Sequence, residues 1–161
     1  MKPLEMRPNP ELDLVLERTV PLTLHEVWAA WTQPEHLVHW FCPKPWQATA
    51  CEIDLRPGGV FETVMRGPEG QEHGSLGCYL EVVHLHRLVW TDALGPGFRP
   101  TAKPFMTGTL TFDKIDGGVR YRAVAQHASA ATRQQHEAMG FHQGWGVALD
   151  QLVAYMQSLR D

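Results

Sequence analysis

The spacing of apolar positions changes twice along the chain. Residues Asp13-Leu14-Val15-Leu16-Glu17-Arg18-Thr19-Val20 are rich in strand formers and partly alternating, which predicts a strand that Pro21 ends. A helix start follows at Thr23-Leu24-His25-Glu26. This is a capping box: the threonine hydroxyl takes one orphan N–H and the glutamate reaches back to another, with Leu22 and Val27 at the staple positions. The helix runs through Trp28-Ala29-Ala30-Trp31 and must weaken before Pro34. Pro34 suits the first turn of a second short helix, in which Leu37, Trp40 and Phe41 recur at i, i+3, i+4.

After Pro43 and Pro45 the pattern becomes that of strands. Strands are expected at 46–55 and 60–66, around the turn Pro57-Gly58-Gly59; Phe61, Thr63 and Met65 share one face of the second. Gly67-Pro68-Glu69-Gly70 reads as a hairpin turn. Segments 75–83 and 88–92 pair around a short turn, and 94–104, with its glycines and prolines, reads as the longest loop. Strands at 105–113 and 119–127 flank Asp116-Gly117-Gly118, a strong hairpin signal. From 130 the period turns helical. Phe141, Trp145, Leu149, Leu152, Met156 and Leu159 fall in one stripe of about 80°. A single helix over 130–159 would run roughly 45 Å, with Gly140, Gly144 and Gly146 inside it.

Short turns between consecutive strands imply an antiparallel meander. The expected architecture is α+β, a helix-grip: a curved antiparallel sheet of about seven strands around a long C-terminal helix, with two short helices after the first strand. A helix lying in a curled sheet leaves a gap wherever side chains do not fill it, and such a gap is an apolar pocket. Residues 1–11, with three prolines, read as a flexible arm before one domain at 12–161.

Four pieces in this order carry a resemblance. They are Val27-Trp28-Ala29-Ala30-Trp31-Thr32 with Leu37-Val38-His39-Trp40-Phe41; Asp54-Leu55-Arg56-Pro57-Gly58-Gly59; Gly77-Cys78-Tyr79-Leu80-Glu81-Val82 leading to Arg87-Leu88-Val89-Trp90-Thr91; and His136-Glu137-Ala138-Met139-Gly140-Phe141 with Gly144-Trp145. Over residues 12–160 the chain resembles the homologues of the activator of heat-shock-protein-90 ATPase, within the START-related, Bet v-like SRPBCC superfamily. The resemblance implies a helix-grip fold and no single activity, since similar proteins include ligand carriers, cyclases, hydrolase-like enzymes and co-chaperones.

Composition narrows the classes. The 161 residues are 43% hydrophobic and 20% charged, ordinary globular usage. A net charge of −4 without a Lys/Arg stripe argues against nucleic acid. No apolar run is long enough for a transmembrane helix and no basic amphipathic helix suggests a membrane surface. The start has no leader pattern, and three widely spaced cysteines suit a reducing compartment, so a cytoplasmic location is expected.

Nine histidines raise the question of chemistry. His84 and His86 fall in a turn, and without H-E-x-x-H or C-x-x-C no metal and no cofactor is expected. Along one continuous helix His142 sits about 55° from the centre of the stripe and His136 about 175°. His136 should then face water, while His142 borders the buried face. His142, and His127 at the end of the last strand, are the acid–base candidates. Trp145, Trp90, Phe61, Met65, Phe105 and Met139 are expected to line the cavity. No serine has an evident base partner and no glycine pair opens a helix to cradle phosphate. The expected function is binding of a hydrophobic or amphipathic small molecule in the internal cavity. The alternatives are an enzyme using a histidine there, or a co-chaperone-like regulator of a heat-shock ATPase. Sheet edges that need covering are compatible with a homodimer.

Overall fold

The computed structural model describes residues 7–160. Alternating apolar positions give β1 (Asp13–Val20), and the capping box opens α1 (Leu24–Thr32). Both halves of the box are made: Glu26 N–H donates to Thr23 Oγ1 at 3.1 Å, and Thr23 N–H donates to Glu26 Oε1 at 2.9 Å. Pro34 starts α2 (Pro34–Leu37). The meander then lays down β2 (Gln47–Ile53), β3 (Val60–Arg66), β4 (Glu72–Val83) and β5 (Arg87–Thr91). A two-residue ladder, β6 (Leu94–Gly95) with β7 (Arg99–Pro100), spans a 3-10 turn in what the sequence suggested was plain loop. The hairpin β8 (Thr107–Ile115) and β9 (Gly118–Gln126) follows, then α3 (Ala130–Ala138) and α4 (Phe141–Ser158).

Seven strands form one antiparallel sheet in the order β1-β9-β8-β5-β4-β3-β2. The sheet curves and α4 packs into its concave side. Phe61, Tyr79, Leu88, Leu110, Phe112, Tyr121, Ala123 and Ala125 meet Phe141, Leu149, Leu152 and Met156 there. Trp28 and Trp31 of α1 close one end. Among the described residues no helix is long and apolar enough to cross a membrane.

Two expectations need correction. The single terminal helix is two, because Gly140 takes φ +92°, a left-handed conformation that ends one helix and redirects the chain. The arm expected at 1–11 is not among them: as far as residue 6 it lies outside the described residues. Within them Asn9 closes a turn, its carbonyl accepting from Leu12 N–H at 3.0 Å and Asp13 N–H at 2.8 Å. Finally, Leu159 lies past the end of α4 and is 49% exposed rather than part of the buried stripe.

Candidate functional site

The concave face is paved with rings. Trp90 on β5 lies over Gly108 of β8, so closely that a Cβ at 108 would stand 2.6 Å from Trp90 Cζ2. Only a residue without a side chain leaves room for the indole to lie flat on the sheet. Trp145 of α4 stacks nearly parallel above it, centroids 6.5 Å apart and planes 15° apart. Trp31 and Phe61 touch Trp90 from the sides at 5.5 and 5.7 Å. Phe61 continues to Tyr79 at 5.3 Å, and Trp145 to His136 at 6.0 Å. Trp90 and Trp145 are half-buried, as are Phe105 and Met106 of the segment entering β8. Together these residues form a half-buried aromatic layer between the sheet and α4.

A histidine pair adjoins these rings. His127, where β9 ends, presents Nδ1 to the Leu12 carbonyl at 2.7 Å. A carbonyl only accepts, so Nδ1 carries the hydrogen and, with both rings uncharged, Nε2 is an acceptor. That nitrogen meets His136 Nδ1 at 2.9 Å. His136 therefore donates from Nδ1, and its Nε2 is left with a bare lone pair. Phe105, Phe141 and Trp145 surround the ring edge-on at 4.8, 5.1 and 6.0 Å. Burial, and next the neighbouring His127, lower the His136 pKa to about 4, so the ring is neutral near pH 7.

At the other end of the rings, Tyr79 is fully buried and its hydroxyl has no hydrogen-bond partner. Burial, reinforced by Cys51 nearby, raises its pKa; burial likewise pushes the Cys51 thiol up to about 11. Both groups are uncharged at neutral pH. Tyr121, in contrast, accepts from Trp31 Nε1 at 3.2 Å.

The structure brings Trp145, Trp90, Phe61, Phe105 and His127 into one continuous set of rings. Met65 shares the Phe61 face of β3 but lies farther along it, paired with Ala48 and His73, and is half-buried. Met139 stands at the α3–α4 junction, 68% exposed, and lines no interior. His142 is exposed in the first turn of α4, against the edge of Phe141. His127 spends both ring nitrogens on protein partners. The ring with a nitrogen to spare is His136, which the sequence placed in water; it is 7% exposed because the break at Gly140 resets the helical phase. Gly140, four residues after His136, was the one local hint of that break.

Two surface depressions lie elsewhere. One, of about 600 Å³, is bordered by Asp54, Gly58, Leu76 and Phe98. The other, of about 220 Å³, lies between β1 and α4. Among the described residues no three His, Cys, Asp or Glu side chains are grouped to hold a metal ion.

The chain belongs to the activator of Hsp90 ATPase homolog 1-like protein family, whose model matches residues 21–157. Solved structures similar to it include a protein from Nitrosomonas europaea, 43% identical, with TM-score 0.91 over 94% of this chain and 97% of that one. A protein from Mycobacterium smegmatis is 27% identical, with TM-score 0.77 over 94% of each chain. One from Rhodobacter sphaeroides, at 23% identity and TM-score 0.84, covers 98% of this chain and 100% of its own, and shares the fold. No curated protein matches the chain.

Proposed function

We propose that this protein binds a hydrophobic or amphipathic small molecule in the cleft between the sheet and α4. The observation that carries the reading is the half-buried, nearly parallel pair of Trp90 and Trp145, backed by rings on every side. Large aromatic faces left partly in contact with water gain by covering, at about 25 cal/mol per Å² of apolar surface removed. Ligand sites are mostly apolar with a few placed polar groups, and His136 is such a group beside these rings. The test is titration with a naphthalene probe and a fluorescent fatty acid, read by quenching of the tryptophans. Saturable binding by the wild type, weakened at least tenfold in Trp145→Ala, supports the reading. Failure of both probes to bind at millimolar concentration removes it.

A further inference from the structure

Two features of the cleft specify its occupant more narrowly. The first is flatness: the rings of Trp90 and Trp145 are within 15° of parallel, with centroids 6.5 Å apart. Trp90 rests on the bare backbone of Gly108, where a Cβ would meet its ring.

The second feature is polarity. The Leu12 carbonyl fixes His127, His127 fixes His136, and the chain of hydrogen bonds ends at His136 Nε2 with a lone pair and no hydrogen. Among the described residues no protein group bonds to that nitrogen, and it is not one of the fully sealed polar atoms. A buried lone pair is left short of one hydrogen bond, and only a donor can supply it. Phe105 and Phe141 at its flanks offer none.

We propose that the cleft takes a flat aromatic molecule bearing an O–H or N–H donor, its ring against the indoles of Trp90 and Trp145 and its donor on His136 Nε2. This deepens the ligand-binding reading above and rests on it. Phenols, naphthols and indole-like N–H compounds belong to the class. Their O-methyl or N-methyl ethers and amines, of nearly the same shape, lack the hydrogen and lose that bond.

The test compares 2-naphthol with 2-methoxynaphthalene by tryptophan quenching at pH 7.5. The wild type is expected to bind naphthol about tenfold more tightly, the worth of one hydrogen bond to an otherwise unpartnered nitrogen. His136→Phe should bring the two affinities together while still binding the ether. A second measurement needs no variant: in long-range proton–nitrogen NMR of the wild type, His136 Nε2 should read as an unprotonated nitrogen whose signal moves with naphthol and stays with the ether. Equal affinities in the wild type, a preference that survives in His136→Phe, or an unmoved Nε2 signal would each overturn the donor proposal and leave the cleft reading standing. If neither compound binds, the cleft reading itself fails.

Discussion

His136 donates its Nδ1 hydrogen to His127 Nε2 across 2.9 Å, and the second ring passes the constraint on to the Leu12 carbonyl at 2.7 Å. The pair ties α3 to the end of β9 and, through Leu12, to the start of β1. Its cost appears in acid. The His136 pKa falls from 6.5 to about 4 in the fold. Between those values the unfolded chain holds a proton that the native ring does not, so stability rises with pH across the window and drains as pH falls through it. We expect the urea midpoint to drop between pH 6.5 and pH 4, by up to about 3 kcal/mol of stability. His136→Phe should flatten the profile in that interval. An unchanged slope in the variant would show that other groups set it.

Gly108 and Gly74 give a paired test of the Trp90 seat. An alanine at 108 would drive its Cβ into the indole, whereas one at 74 would meet nothing within 4 Å. Gly108→Ala is expected to cost about 1–3 kcal/mol by overpacking and to shift tryptophan emission to the red. Gly74→Ala should be neutral or slightly stabilising, because it restricts the unfolded chain. Equal stabilities for the two variants would mean that Trp90 does not need the bare backbone beneath it.

How much of this was legible in the sequence follows from how local each signal is. The capping box at Thr23 and Glu26 is satisfied within one turn of helix, and it formed as read. The hairpin at Asp116-Gly117-Gly118 needs only its own backbone, and Gly117 takes φ +86° there. The stripe Phe141, Trp145, Leu149, Leu152, Met156 kept its phase because all of it lies beyond Gly140. His136 was misplaced because periodicity was counted through a residue that leaves the helix. His127 and His136 are nine positions apart in sequence and meet only because the chain reverses at Ser129, which caps α3 by accepting from Thr132 N–H at 3.2 Å. The orphaned hydroxyl of Tyr79 depends on which strands flank it, so no local pattern announces it.

Tyr79→Phe tests that hydroxyl directly. A buried O–H without a partner costs free energy that folding must absorb, and deleting it leaves the ring in place against Phe61. We expect the variant to be as stable as the wild type or more stable by about 1 kcal/mol in urea unfolding. A loss of 1 kcal/mol or more would reveal a partner for the hydroxyl.

Arg160 clasps the opening of α1. Its Nε donates to Glu26 Oε2 at 2.8 Å and its Nη2 to Glu26 Oε1 at 2.6 Å, while the same carboxylate completes the capping box. The Arg160 hydrogen bond is the largest cause holding the Glu26 pKa down, from 4.5 to about 2. Stability from this contact is full above pH 4.5 and is lost as pH falls toward 2. Glu26→Gln should remove that acid slope, and Thr23→Ala should cost about 1 kcal/mol at neutral pH through the lost cap. Thermal unfolding across pH 2–5 checks both. A Glu26→Gln profile parallel to the wild type would show the clasp to be energetically silent.

Gly140 decides whether His136 faces the cleft at all. On one continuous helix His136 and Phe141, five positions apart, would point about 140° away from each other. Their rings instead meet edge-on at 5.1 Å, because the left-handed turn at φ +92° swings α3 back over the start of α4. No atom lies within 4 Å of where a Cβ at 140 would stand, so a side chain there is opposed by backbone conformation alone. Gly140→Ala should therefore cost about 1–2 kcal/mol, the left-handed penalty for an L-residue. If the strain is relieved by continuing α3 into α4, His136 rotates off His127, its Nδ1 hydrogen exchanges faster, and the naphthol preference falls with it. Urea unfolding and the His136 ring-nitrogen signals separate the two parts: a variant with full stability and an intact histidine pair would mean that contacts of α3, and not the glycine, set the turn.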